Sequence, residues 1–177
     1  MPTTKLFDLS GRVAVVTGGN GGIGRSIAIG LAQAGAAVAV LARNEEKNQR
    51  VIGELQVLGV RTLAVRVDVA ERGQLQPALE KVEETLGPVS ILVNNAGIAA
   101  IAGVLDHTLE DWDKVIETNL DACFLLSKLA AKSRFMSASV VSNTSASVHQ
   151  SSQVFSRFGS DLAAVFFAAP RSLFVSR

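Results

Sequence analysis

The 177-residue sequence has no tyrosine, one cysteine, one tryptophan and two histidines, and its 17 basic side chains nearly balance 16 acidic ones. Each shortage excludes something. The single cysteine, Cys123, cannot close an internal disulfide, which points to a reducing compartment. Two histidines and one cysteine, far apart in the chain, do not make a structural zinc site, so no metal is expected. A net charge of +1 excludes a strongly basic nucleic-acid binder. No apolar run reaches the roughly 18 residues of a membrane span. The longest candidate, Ile27 to Ala42, is broken by Gly30, Gln33 and Gly35, so no membrane partner is expected. No signal-peptide core precedes Val13. The expectation is a cytoplasmic protein of one-domain length.

What is present alternates between two periodicities. Arg12–Thr17, Ala37–Leu41, Thr62–Val67 and Val89–Val93 are short apolar runs that read as strands. Between them lie helical spacings. Ile23, Ile27 and Leu31 mark one helix, and Val51, Leu55 and Leu58 mark the inner face of a second, which Asn44 can cap. Leu75, Leu79, Val82 and Leu86 mark a third, stopped by Gly87-Pro88. Thr108 with Asp111 resembles a capping box before Trp112, Val115 and Ile116. Uniformly apolar strands alternating with helices imply a parallel sheet covered on both faces, the doubly wound α/β class.

The composition changes near Lys132. Residues 1–132 hold 4 Ser, 2 Phe, 13 basic and 15 acidic residues, whereas the last 45 hold 12 Ser, 6 Phe, four Arg, one acid and no Lys. This divides the chain into an α/β domain over 1–132 and a Ser/Phe-rich tail over 133–177.

The most informative motif is Thr17-Gly18-Gly19-Asn20-Gly21-Gly22-Ile23-Gly24, which follows the first strand and opens a helix. Gly18 permits a tight turn, Gly22 lets backbone N–H groups approach a pyrophosphate, and Gly24 lets the helix pack on the strand. The helix start offers unpaired N–H donors to that anion. In this strand–loop–helix context, the loop reads as a dinucleotide site.

The sequence here resembles the short-chain dehydrogenase/reductase family, whose loop is Thr-Gly-x-x-x-Gly-x-Gly. Three further elements carry the resemblance over residues 6 to about 130. Asp68, beside Val69, stands where the family places an adenine-pocket Asp. Asn94-Asn95-Ala96-Gly97 matches its Asn-Asn-Ala-Gly element, and Asn119 matches the helix Asn used beside its catalytic group. The resemblance implies a Rossmann-like sheet, incomplete at its C-terminal side. It also implies hydride transfer between NAD(P)(H) and a small alcohol or carbonyl substrate, and a homo-oligomeric habit. Thr17, Gly18, Asn20, Gly22, Ile23 and Gly24, then Val69, Asn95, Ala96 and Gly97, are the cofactor-binding residues it implies beside Asp68.

After the second strand a carboxylate would bond both ribose hydroxyls of NAD and repel a 2′-phosphate. This chain instead reads Leu41-Ala42-Arg43-Asn44. A guanidinium pairs well with phosphate, so Arg43 favours NADP(H) over NAD(H). The alternative is a solvated Arg at a helix start.

Hydride transfer at a carbonyl needs a proton donor or acceptor beside the oxygen. The family uses a Tyr, a Lys four residues later and a Ser about 13 residues earlier. This chain has no Tyr, and Lys132 is its last Lys. Val140 to Ser147 is similar to the family's fifth strand and Ser-rich segment. Ser145 then takes the catalytic Ser position, with Ala146 competing for the register. Thirteen residues on, Phe158 and Leu162 stand in the Tyr and Lys positions. His149 and His107 read as polar surface, and Cys123 as core. Leu162–Ala169 reads as a buried helix or an aggregation-prone segment.

Three readings follow: an NADP(H)-dependent oxidoreductase, inactive as it stands for want of the Tyr/Lys pair; a non-catalytic dinucleotide- or partner-binding module; or a family member whose reading frame shifts near codon 132.

Overall fold

The computed structural model describes residues 7–103, 105–142 and 163–167. Five parallel strands form one sheet in the order β3-β2-β1-β4-β5: β1 Val13–Thr17, β2 Ala37–Ala42, β3 Thr62–Arg66, β4 Ile91–Asn94 and β5 Ala163–Phe167. Helices α1 (Gly22–Gln33), α2 (Glu45–Gln56) and α3 (Arg72–Leu86) connect the first four strands. After β4 come α4 (Leu109–Ile116), a π-helical turn over Glu117–Asp121, and α5 (Ala122–Ser142), which runs across the composition change at residue 132.

The sheet is covered on both faces because successive strand residues point opposite ways. Val13 and Val15 of β1 join Leu75, Leu79, Val82 and Leu126 in the core under α3 and α5. Ala14 and Val16 join Ala28, Ala32, Val51 and Leu55 in the core under α1 and α2. All five residues of β1 and all six of β2 are buried, which is why these strands read as unbroken apolar runs.

Local chemistry sets the helix ends. Asn44 Oδ1 accepts from Lys47 N at 2.8 Å, capping α2. Thr108 Oγ1 accepts from Asp111 N at 3.1 Å, capping α4. Gly87 ends α3 with φ +103°, a left-handed conformation that costs glycine little.

The helix faces that pack on the sheet follow in part the spacing marked in the sequence, and Leu58 departs from its expected place on the inner face of α2. The inner face of α1 is Gly24, Ala28 and Ala32, while Ile23 is half exposed and Ile27 and Leu31 are only partly buried. Small residues let α1 lie close on the sheet, and the larger ones flank the contact. On α2, Asn48 and Ile52 join Val51 and Leu55 on the inner face. Leu58 lies beyond the helix end and is partly exposed. Trp112 is exposed, since α4 buries none of its residues.

The largest correction concerns strand five. Val140 and Val141 belong to α5. No Gly or Pro interrupts residues 122–142, and a β-branched pair is too weak a signal to stop a long helix. The fifth strand lies instead within the Leu162–Ala169 run, where β4 and β5 pair in parallel with Ile91 opposite Ala163 and Asn94 opposite Phe167. A β-branched and aromatic run beside an unpaired strand satisfies that strand's backbone groups. Ser145, Ala146, His149, Phe158 and Leu162 lie outside the described residues. Among the described residues, no helix is long and apolar enough to cross a membrane.

Candidate dinucleotide site

β1 leads through α1 to β2 on one side, whereas β4 returns to pair with β1 on the other. This reversal opens a crevice beyond the carboxyl ends of the strands, the place where open α/β sheets bind ligands. A cleft of about 250 Å³ lies there, bordered by Gly18 and Asn20 after β1 and by Ala42, Arg43, Asn44 and Lys47 after β2. Val67, Asp68 and Val69 border it after β3, and Ala96, Gly97 and Ile98 after β4, with Thr118 beneath.

The glycine loop is built to sit tightly on its neighbours. Gly18 has φ +63°, and its N–H donates to Leu41 O at 2.8 Å. At Gly24, a Cβ would lie 2.3 Å from the Gly18 carbonyl oxygen and 2.4 Å from Asn95 Nδ2. Gly22 opens α1 with nothing within 4 Å of where its Cβ would stand.

Thr17 and Asn95 tie the two sides of the crevice together and do not border the cleft. Buried Thr17 donates its hydroxyl to Val93 O at 3.3 Å. The same oxygen accepts from Asn95 N at 2.9 Å and Ala96 N at 3.0 Å. Asn95 Nδ2 donates to Thr17 O at 2.9 Å and Gly18 O at 3.3 Å. Gly22, Ile23 and Gly24 likewise lie beside the cleft and not on its wall. Asn94 donates to Ser127 Oγ at 3.2 Å, while its buried Oδ1 has no donor among the described residues.

Arg43 and Asp68, singled out separately in the sequence, meet here. Arg43 Nη1 donates to Asp68 Oδ2 at 3.4 Å, with the Arg side chain 68% exposed. Asp68 Oδ1 accepts from Ala70 N at 3.1 Å. An exposed pair at that distance is weak, so the guanidinium is free to take a stronger anionic partner. Lys47, one turn into α2, brings a second cation to the same border.

Asn119 lies in the π-helical turn, a distortion common at functional sites. Its Oδ1 accepts from Ile98 N at 2.9 Å and its Nδ2 donates to Ile98 O at 2.9 Å. Both polar ends of the amide therefore hold the segment that follows Gly97. Cys123 is buried and donates to Asn119 O at 3.2 Å. Burial pushes its thiol pKa up, which fits a core residue and not a nucleophile. His107 is exposed on a loop.

Sequence reasoning missed Asn48, Lys47 and Thr118. Asn48 left a trace, as a polar residue three and seven positions before Val51 and Leu55 on the inner face of α2. Lys47 is one turn beyond Arg43, and Thr118 has no local signature.

The donors and shapes present fit a nicotinamide dinucleotide. A Gly-rich turn opens a helix N-terminus, a Cβ-free contact sits at Gly24, and two cations border the end of the cleft nearest β2. Comparison with known proteins agrees. Residues 12–166 match the family described as short chain dehydrogenase. A 2-dehydro-3-deoxy-D-gluconate 5-dehydrogenase of Formosa agariphila is 34% identical over 128 residues, covering 72% of this chain and 48% of that protein. A short-chain dehydrogenase/reductase of Mycobacterium marinum superposes with a TM-score of 0.71 at 38% identity, covering 75% of this chain and 54% of that one. A short chain dehydrogenase of Burkholderia cenocepacia, solved in complex with NADP, gives 0.69 at 39% identity, covering 71% and 51%. The chain spans about half the length of the curated relatives it matches.

Proposed function

The chain belongs to the short chain dehydrogenase family, and on that premise we propose that it binds NADP(H) in preference to NAD(H) for hydride exchange with a small alcohol or carbonyl compound. The observation that carries the cofactor choice is the border of the cleft after β2. Ala42 stands where a carboxylate would repel a 2′-phosphate, and Arg43 and Lys47 follow it along the same wall. The α2 N-terminus between them adds partial positive charge, which Glu45 and Glu46 in its first turn partly offset. The neighbour solved with NADP supports the same choice.

When bound, the dinucleotide supplies or accepts the hydride. This chain's own residues bind and orient it. Gly18, Gly22 and Gly24 shape the pyrophosphate turn, and Asn20, Asp68 and Val69 border the adenosine side. Ala96 and Gly97 form the wall after β4, which Thr17 and Asn95 hold against β1. Asn119 fixes Ile98 at the end of that wall, and Ser145 is the candidate to bond a substrate oxygen.

Proton transfer is where the chain falls short. No residue of the sequence has a phenol, and Phe158 and Leu162 stand in the Tyr and Lys positions. The 177-residue chain therefore binds cofactor with little or no turnover, which is also what the non-catalytic binding-module reading predicts.

Replacing Arg43 tests the cofactor choice. Arg43→Ala should weaken NADPH binding by about tenfold, the loss of one charge-assisted contact, and leave NADH binding within about twofold. Equal losses for both dinucleotides would place Arg43 outside the 2′-phosphate contact.

A further inference from the structure

One side chain outside the cleft links two of its walls. Asn48 lies on the inner face of α2 and is fully buried. It does not border the cleft. Its Nδ2 donates to Ala42 O at 3.0 Å, at the end of β2 where the Arg43 wall begins. Its Oδ1 accepts from Asn20 Nδ2 at 2.7 Å, on the glycine loop. Asn20 Nδ2 also reaches Asn44 O at 3.4 Å. The amide of Asn20 is thus turned with its hydrogens toward α2. Its carbonyl oxygen has no protein donor among the described residues.

We infer that Asn48 is a positioning residue for the cofactor cleft, acting through Asn20 to set the glycine loop against the wall that follows β2. The inference rests on the dinucleotide reading above. Position 48 needs a group that donates on one side and accepts on the other, both in fixed directions. An amide does this, whereas a carboxylate lacks the donor and an aliphatic chain lacks both. Burial sharpens the requirement, since a loose amide here would leave its own Nδ2 and Oδ1 unpaired in the core, with Ala42 O keeping only Val67 N at 3.3 Å and Asn20 Nδ2 only Asn44 O at 3.4 Å. Held this way, Asn20 offers the cleft an acceptor. Such an oxygen takes a hydroxyl or amino donor from the adenosine half of a dinucleotide. Neither asparagine titrates, so the contribution is the same across neutral pH.

A double-mutant cycle on the full chain, read by NADPH fluorescence titration, tests this. Asn20→Ala and Asn48→Ala should each raise the Kd for NADPH by about tenfold, and the double variant should stay within about twofold of either, because one linkage is lost in all three. A purely structural Asn48 would lower the melting temperature without this coupling. Losses that multiply toward about a hundredfold, or an Asn48→Ala chain with wild-type affinity, would overturn the inference. Should Asn48→Ala not fold, Asn48→Ser enters the cycle with the same two outcomes. A wild-type chain that binds neither NADPH nor NADH would overturn the dinucleotide reading and this inference with it. Wild-type binding with independent variants overturns this inference alone.

Discussion

Thr17 shows how much one hydroxyl can hold. It is the last residue of the central strand, and its Oγ1 serves Val93 O, Asn95 N and Ala96 N together. Valine has nearly the same shape and none of these bonds. Thr17→Val should therefore cost about 2–3 kcal/mol in unfolding free energy, since two N–H donors lose their partner in a partly buried seam. Urea denaturation measures it, and a loss under about 0.5 kcal/mol, the range of an indifferent surface substitution, would contradict the account. Gly24 is the steric counterpart of Thr17. Its missing Cβ is what lets α1 start against the Gly18 carbonyl and the Asn95 amide. The third glycine of the Gly18, Gly22, Gly24 pattern was legible in the sequence, because the spacing after the first strand marks it as a close-packing position.

At the scale of elements, α1 teaches a distinction that periodicity alone hides. Ile23, Ile27 and Leu31 repeat at helical spacing, yet the face against the sheet is Gly24, Ala28 and Ala32. A stripe of small residues brings helix and sheet close, and the larger residues then lie along the margins of the contact. Ala28→Leu should destabilise the protein by about 1–3 kcal/mol through overpacking, whereas Ile23→Ala should stay within about 0.5 kcal/mol. Thermal unfolding of the two variants checks the order, and the reverse order would make the Ile face the packed one. Strand five failed for a related reason. Val140-Val141 has the local chemistry of a strand but lies in a helix that nothing stops, and Ala163–Phe167 becomes a strand because β4 has an edge to pair. Both outcomes depend on tertiary context that a local reading does not contain. The caps at Asn44 and Thr108 were legible because each is a contact between residues three apart.

For the whole molecule, strand order decides where chemistry can happen. The reversal at β1 gathers the ends of four strands around one cleft, so motifs as distant as Thr17 and Asn95 or Arg43 and Asp68 become neighbours. Their presence was readable one by one. Their mutual bonds were not, and neither was Asn48, whose importance exists only because Asn20 folds back onto α2. The same view separates binding from turnover. On the proposed reading the cleft takes a dinucleotide, whereas a phenol for proton transfer is absent from the sequence. The most direct test titrates the full chain with NADPH and with NADH, then adds a panel of alcohols with NADP⁺ and follows absorbance. The account predicts saturable binding, tighter for NADPH than for NADH by about tenfold or more, and no NADPH formation above the rate without protein. Equal or tighter NADH binding, or steady turnover of an alcohol, would contradict it.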